Sequence, residues 1–190
     1  MNISAVLLAG GESRRMRKDK ATLLFRGKPL WQIQLDLLRK LEPEEIFVSA
    51  RTDPAWRPAV VQFVPDEPPS RGPLSGLTAT LARIRSSHLL ALAIDMPFMS
   101  EGHLRYLCEA IGPGRGLLPM IGSRAEPLTA IYPAEAYDTF AATFSGADFS
   151  MQTLTNRLVK IGRLRVVRVP KKEQKFYRNL NEPGDLNGVC

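Results

Sequence analysis

The chain alternates between continuous apolar runs and stretches with a helical apolar period. Ile3–Ala9 is a short apolar run that stops at Gly10-Gly11 and reads as a buried strand. Pro29–Leu41 places Leu30, Ile33, Leu37, Leu38 and Leu41 on one helical face, with Pro in the first turn. Glu45–Ala50 and Val60–Val64 read as the second and third strands, and Pro73–Arg85 as a helix. Leu89–Ile94 is the purest apolar run and predicts a central strand. Ser100–Ile111 predicts a helix capped by Ser100. Gly116–Met120 and Leu128–Tyr132 predict strands, Ala134–Phe144 and Met151–Leu158 helices, and Leu164–Val169 a late strand.

Strands that alternate with helices, and early strands without polar alternation, imply a mostly parallel sheet covered on both faces. The predicted fold class is α/β: a Rossmann-like, doubly wound sheet with a small antiparallel addition in the second half. No repeat or linker interrupts 1–190, which predicts one domain. The Pro-rich segment Pro65–Pro73 is a loop within it. In such sheets ligands sit at the carboxyl ends of the strands. The residues to inspect are therefore Gly10–Lys20, Ser49–Arg51, Asp66–Gly76 and Asp95–Phe98.

Composition narrows the chemistry. The net charge is +7 and the pI about 9.7, which favours anionic partners over cationic ones. Two Cys and two His are too few for a thiolate or imidazole metal cluster. No apolar run is long enough for a membrane span, and the amino-terminal residues lack the features of a secretory signal, so a cytoplasmic location is expected. No nucleic-acid motif and no interleaving of basic with aromatic residues is present, so nucleic acid is not expected as a partner.

The first strand runs into two glycines and the basic run Arg14–Lys20. Gly10 and Gly11 allow close backbone approach to a phosphate, and Arg14, Arg15 and Lys20 can add charge-assisted contacts. The spacing is neither G-x-x-x-x-G-K-S/T nor G-x-G-x-x-G, which excludes the Walker and dinucleotide fingerprints. Asp95, after the most apolar strand, is either a turn cap or a carboxylate for Mg²⁺ that keeps waters and substrate phosphates. Asp66, after the third strand, is either a loop aspartate or an acceptor for the N1–H and amino group of guanine, donors that adenine does not present together. Trp31 and Trp56 read as packing residues, and Arg124, Lys171 and Lys172 as a solvated face.

Leu8-Ala9-Gly10-Gly11-Glu12-Ser13-Arg14-Arg15-Met16, followed by Asp19-Lys20-Ala21, resembles the signature L-A-G-G-x-S-x-R-M-G-x-D-K of the molybdenum cofactor guanylyltransferase (MobA) family. Arg17 stands where that pattern has Gly. "GKPLW", "GPLSGL", "IDMPF", "EPLTAIYP" and "NLNEPGDL" follow in the family's order over nearly the whole chain. The resemblance implies a Mg²⁺-dependent nucleotidyltransferase that joins GMP from GTP to the phosphate of molybdopterin, with or without molybdenum, and releases pyrophosphate. It implies nucleotide contacts from Leu8, Ala9, Gly10, Gly11, Lys20, Ser49, Asp66 and Asp95. Lys20, Arg15 and Asp95 are the implied catalytic residues, and Asp95 the metal ligand. Ser49 stands where the family often has Asn. Asn181 matches a family Asn near the metal but also reads as a helix cap. The alternative is a relative that uses CTP or another small phosphorylated acceptor. A monomer is expected, with transient contacts to cofactor-delivery proteins and molybdoenzyme chaperones.

Overall fold

The computed structural model describes residues 2–10, 19–66 and 68–180. The chain opens with β1 (Ile3–Leu8), then a small hairpin of β2 (Leu24–Phe25) and β3 (Lys28–Pro29), and α1 (Leu30–Arg39). β4 (Glu45–Ala50), β5 (Gln62–Pro65), α2 (Pro73–Leu81), β6 (His88–Ala93) and α3 (Glu101–Glu109) complete the first half. The second half holds β7 (Gly116–Ile121), β8 (Arg124–Ala125), β9 (Ile131–Pro133), α4 (Tyr137–Phe144), α5 (Met151–Lys160) and β10 (Leu164–Arg168). A 3-10 segment, Lys171–Tyr177, follows β10.

The main sheet runs β10-β7-β9-β6-β1-β4-β5, with β8 added to β7. β1 pairs in parallel with β4 on one side and β6 on the other. β9 is antiparallel to both β6 and β7, and is the antiparallel insertion that the sequence pattern implies. Alternate residues of the central strands feed opposite layers, as the strand period requires. Ala5, Leu7, Val48, Leu90 and Leu92 pack with α1 and α3, while Val6, Leu8, Phe47, Leu89 and Ala91 pack with α2, α4 and α5. All six residues of β6 are buried.

Three boundaries differ from the sequence reading by three residues or more. The strand expected over Leu128–Tyr132 starts at Ile131, because Pro127–Thr129 forms a 3-10 turn. Pro127 fixes its own φ and favours that turn, and the Tyr132 hydroxyl donates to its carbonyl at 2.7 Å. The helix expected from Ala134 begins with a separate 3-10 turn, Ala134–Ala136. The helix expected to reach Arg85 ends at Leu81. The hairpin of β2 and β3 was not legible, since two-residue strands carry no period; Arg26 and Gly27 turn it, both with positive φ. The Ser100 cap is present, its hydroxyl accepting from the His103 amide.

Gly116 shows how closely the second half is packed. A Cβ there would lie 1.9 Å from the Ile131 carbonyl oxygen of β9, a backbone atom that cannot swing aside. Gly116→Ala is therefore expected to lose about 3 kcal/mol of stability through forced separation of β7 from β9. Urea denaturation checks this, and an unchanged midpoint would mean that the two strands separate freely.

Candidate functional site

The carboxyl ends of β1, β4, β5 and β6 are stitched into one edge by backbone hydrogen bonds. Ala9 N and Gly10 N both donate to Ser49 O, at 2.9 and 3.2 Å. Ile94 N donates to Leu8 O at 3.1 Å, and Asp66 N to Ala50 O at 3.0 Å. The order β4-β1-β6 makes this edge a topological switch point, where successive connections leave in opposite directions and open a crevice.

One side of the crevice holds Asp66. Its Oδ1 accepts from the Ser49 hydroxyl at 3.0 Å. Ser49 is 1% exposed, so its side chain serves the carboxylate from below. Two glycines make room for this pair. A Cβ on Gly10 would lie 2.9 Å from Asp66 Oδ2, and one on Gly76 would lie 2.5 Å from Ser49 Oγ. Burial pushes the Asp66 pKa above the usual carboxylate value, opposed by the Ser49 hydroxyl and the charge of Arg51.

The other side holds Lys20 and Asp95. Lys20 Nζ lies 3.1 Å from Asp95 Oδ2, and the two side chains are only 23% and 19% exposed. Asp95 follows fully buried β6, and its carbonyl accepts from Leu180 N at 2.8 Å. Lys20 opens a 3-10 turn capped by Asp19, whose carboxylate accepts from Ala21 N. Ala21 is fully buried, which anchors the turn in the core. A cavity of about 130 Å³ lies between Ala9–Gly10, Lys20, Asp95, Pro73 and Leu128. A second, of about 500 Å³, continues from Gly10 and Asp19 along Ala50–Trp56.

Leu8, Ala9, Gly10, Lys20, Ser49, Asp66 and Asp95 are thus gathered at one edge. The Leu8 side chain is buried, and its backbone and that of Ala9 and Gly10 form the floor. Gly11, Arg14, Arg15, Arg17 and Asn181 lie outside the described residues. The link between Asp19 and Trp56 was not read from the sequence. Asp19 Oδ2 accepts from Trp56 Nε1 at 2.9 Å, and Trp56 stacks on Trp31 with ring centroids 5.6 Å apart. Trp31 and Trp56 do pack, as expected, but on each other at the mouth of the crevice. No signal in a single sequence joins Asp19 to Trp56.

Among the described residues no three His, Cys, Asp or Glu side chains gather as a metal cluster. A lone carboxylate such as Asp95, beside a cavity that opens to water, fits Mg²⁺, which takes few protein ligands and completes its shell with water and phosphate oxygens. It does not fit a structural zinc site, which needs four protein ligands.

A match over residues 5–161 to the family model described as "MobA-like NTP transferase domain" accounts for this arrangement. The chain belongs to that family. It is 35% identical over 186 residues to a probable molybdenum cofactor guanylyltransferase of Opitutus terrae, covering 96% of this chain and 92% of the relative. It is 30% identical over 195 residues to the molybdenum cofactor guanylyltransferase of Cereibacter sphaeroides, covering 98% and 94%. The crystal structure of molybdopterin-guanine dinucleotide biosynthesis protein A from Archaeoglobus fulgidus superposes with a TM-score of 0.70 at 26% identity, covering 98% of this chain and 96% of that one.

The environment of Asp66 carries a pH signature. Its folded pKa is raised above the ordinary 3.8, so the folded chain holds this proton more tightly than the unfolded chain. That contribution to stability is fully present below the unfolded pKa and is lost as pH rises through the folded one. Asp66→Asn is therefore expected to be the more stable protein at about pH 7, with its advantage shrinking towards about pH 4. Thermal melts of the two proteins at both pH values check this. A difference that stays constant with pH would mean that the carboxylate is as well solvated in the fold as in the open chain.

Proposed function

We propose that this crevice transfers GMP from GTP to the phosphate of molybdopterin and releases pyrophosphate. The observation that carries the reading is the placement of a cation–carboxylate pair and a half-buried carboxylate on either side of the partly buried Ala9–Gly10 backbone. One pair suits a triphosphate and the other a base. The family membership and the full-length similarity to guanylyltransferases support the same reading.

The base side is fitted to guanine. The Asp66 carboxylate can accept from guanine N1–H and from its amino group, which lie side by side. Cytosine and adenine each present a single amino donor next to a ring acceptor, so a carboxylate cannot pair with both positions. Partial burial strengthens the discrimination, because a carboxylate short of water gains more from the correct donors and loses more with the wrong edge. Ser49 keeps one oxygen in place and the two glycines keep the backbone clear of both.

The phosphate side supplies charge. Lys20 Nζ is held at the cleft and can exchange its contact with Asp95 for oxygens of the triphosphate. The Gly10 backbone allows the phosphates to approach closely. Asp95 would hold Mg²⁺, which supplies charge neutralisation to the phosphoryl oxygens when bound. An oxygen of the acceptor phosphate attacks the α-phosphorus in line, the bond to the β-phosphate bridging oxygen breaks, and that oxygen leaves with pyrophosphate. Little covalent work falls to the chain itself. Lys20 orients the leaving phosphates, and the walls around Pro73 and Leu128 limit the angles at which the acceptor can enter. Arg15, in the signature sequence, is proposed as a second cation on the phosphates. The net charge of +7 suits two substrates that are both anionic.

Two measurements test this. With purified chain, GTP, molybdopterin and Mg²⁺, pyrophosphate release is expected, and Asp95→Asn is expected to lower kcat by about a hundredfold to a thousandfold with the fold intact by circular dichroism. Full turnover in that variant would remove Asp95 from the chemistry. Asp66→Asn is expected to cut the preference for GTP over ATP by about a hundredfold in kcat/KM while phosphate contacts persist. Unchanged selectivity would place guanine recognition elsewhere.

A further inference from the structure

The connection between β4 and β5, residues 51–61, contains no helix. It is nevertheless built as a fixed object. Arg57 donates to both carboxylate oxygens of Asp53, from Nε to Oδ1 at 2.7 Å and from Nη2 to Oδ2 at 2.6 Å. The same guanidinium also donates to the carbonyls of Pro58 and Val61. Arg57 N donates to Pro54 O and Val61 N to Pro58 O, each at 2.9 Å. A loop that only joins two strands does not need this density of internal bonds.

What the loop presents is Trp56. Its ring lies nearly parallel to Trp31 of α1, with 14° between the planes. The stack fixes the ring, and with it the direction of the indole N–H, which donates to Asp19 Oδ2 at 2.9 Å. Asp19 makes further hydrogen bonds. Its Oδ1 accepts from Ala21 N at 2.9 Å, and its carbonyl accepts from Thr22 N at 3.1 Å and from Thr22 Oγ1 at 2.9 Å. The next residue is Lys20.

From this chain of contacts we infer that Trp56 is a positioning residue for Lys20, acting through Asp19. The inference rests on the reading of Lys20 as the cation of the triphosphate site. When the triphosphate draws Lys20 Nζ from Asp95, the lysine backbone must stay where it is for the ammonium to arrive at the leaving phosphates. The Asp19 carboxylate is the anchor for that backbone. Among the described residues this carboxylate has two donors, Ala21 N and the Trp56 indole, and the indole comes from a different part of the chain. The bond is aromatic N–H to carboxylate, the charge-assisted kind that is both stronger and more directional than a neutral one. Residues 51–61 thereby act on Lys20 as a positioning segment, through Trp56 and Asp19.

Trp56→Phe separates this role from packing, since Phe keeps an aromatic face on Trp31 and removes only the N–H. The variant is expected to melt like the unaltered protein and to lose about tenfold in kcat for GMP transfer, with GTP-over-ATP preference unchanged. In a Lys20→Ala background the same change is expected to have no further effect. A second measurement does not depend on turnover: the rate at which acetic anhydride acylates Lys20, read by peptide mass spectrometry, is expected to rise several-fold in Trp56→Phe as the Asp95 pairing loosens. Full kcat with unchanged Lys20 labelling would overturn the inference, as would an equal fractional loss in both backgrounds. If the unaltered chain transfers no GMP at all, the proposed function fails. The labelling comparison still decides whether Trp56 holds Lys20.

Discussion

β1 is paired in parallel on both sides, with β4 and with β6, and the site depends on that constraint. A parallel strand cannot be followed by its neighbour through a tight turn, so each connection must leave the carboxyl edge and cross a face of the sheet. The connection after β1 crosses one face through α1. The one after β5 crosses the other through α2 and returns to β1's far side as β6. The carboxyl edge between them is left uncovered by either crossover. Because both faces of β1 and β6 are buried, the first polar groups the chain can offer to water lie at that edge. Gly10 and Asp95 stand there for this reason, and Lys20 is brought back to them by the turn that Asp19 caps.

The two carboxylates of the crevice live in different surroundings. Asp95 has a cation 3.1 Å away, so its charge is met within the protein before any ligand arrives. Among the described residues Asp66 accepts from the Ser49 hydroxyl, with the charge of Arg51 near it, and burial lifts its pKa. A carboxylate left short of donors is costly to keep ionised in a partly dry place, and ligand donors that complete its shell recover that cost. Under the proposed function the two groups would have different tasks: Asp95 would exchange its contact with Lys20 for one with a bound cation, while Asp66 would gain donors from the base. In that reading base recognition falls on one side of the crevice and charge neutralisation on the other. The glycines at 10 and 76 are the steric condition for both, since a methyl group at either would displace the Asp66–Ser49 pair.

Most of the sheet was legible because parallel, doubly covered strands are written as apolar runs. β1, β4 and β6 appear within a residue or so of where those runs begin and end. The residues that follow them were legible too, since the carboxyl edge of such a sheet is where chemistry collects. What the residues do to one another was not. Lys20 and Asp95 are 75 positions apart and Trp56 and Asp19 are 37 apart, and no periodicity carries such pairings. Ser49 illustrates the difference. Its position could be read from the end of a strand, but its role turns on which way a buried hydroxyl points, and it points to Asp66. The 3-10 turn at Pro127 and the hairpin at Arg26–Gly27 escaped for a simpler reason: three residues or fewer give no pattern to read.

The crossover from β4 to β5 is the step at which the fold departs from regular alternation, because a loop stands where a helix would cover the sheet. A helix there would pack its apolar side on the strands and turn its polar side to water. The loop gives up that burial. In exchange it can bend around Arg57, keep its own bonds, and lay an indole on Trp31 at the start of α1. α1 enters from the hairpin, and the hairpin from the turn that carries Lys20, so the two tryptophans join the beginning and the end of one connected path. A displacement of residues 51–61 would reach Lys20 by two routes, through Asp19 directly and through Trp31 and α1. Rigidity in that loop is a condition for a fixed lysine. It accounts for why a solvent-facing connection without helix is stabilised by a bidentate ion pair and several backbone bonds of its own.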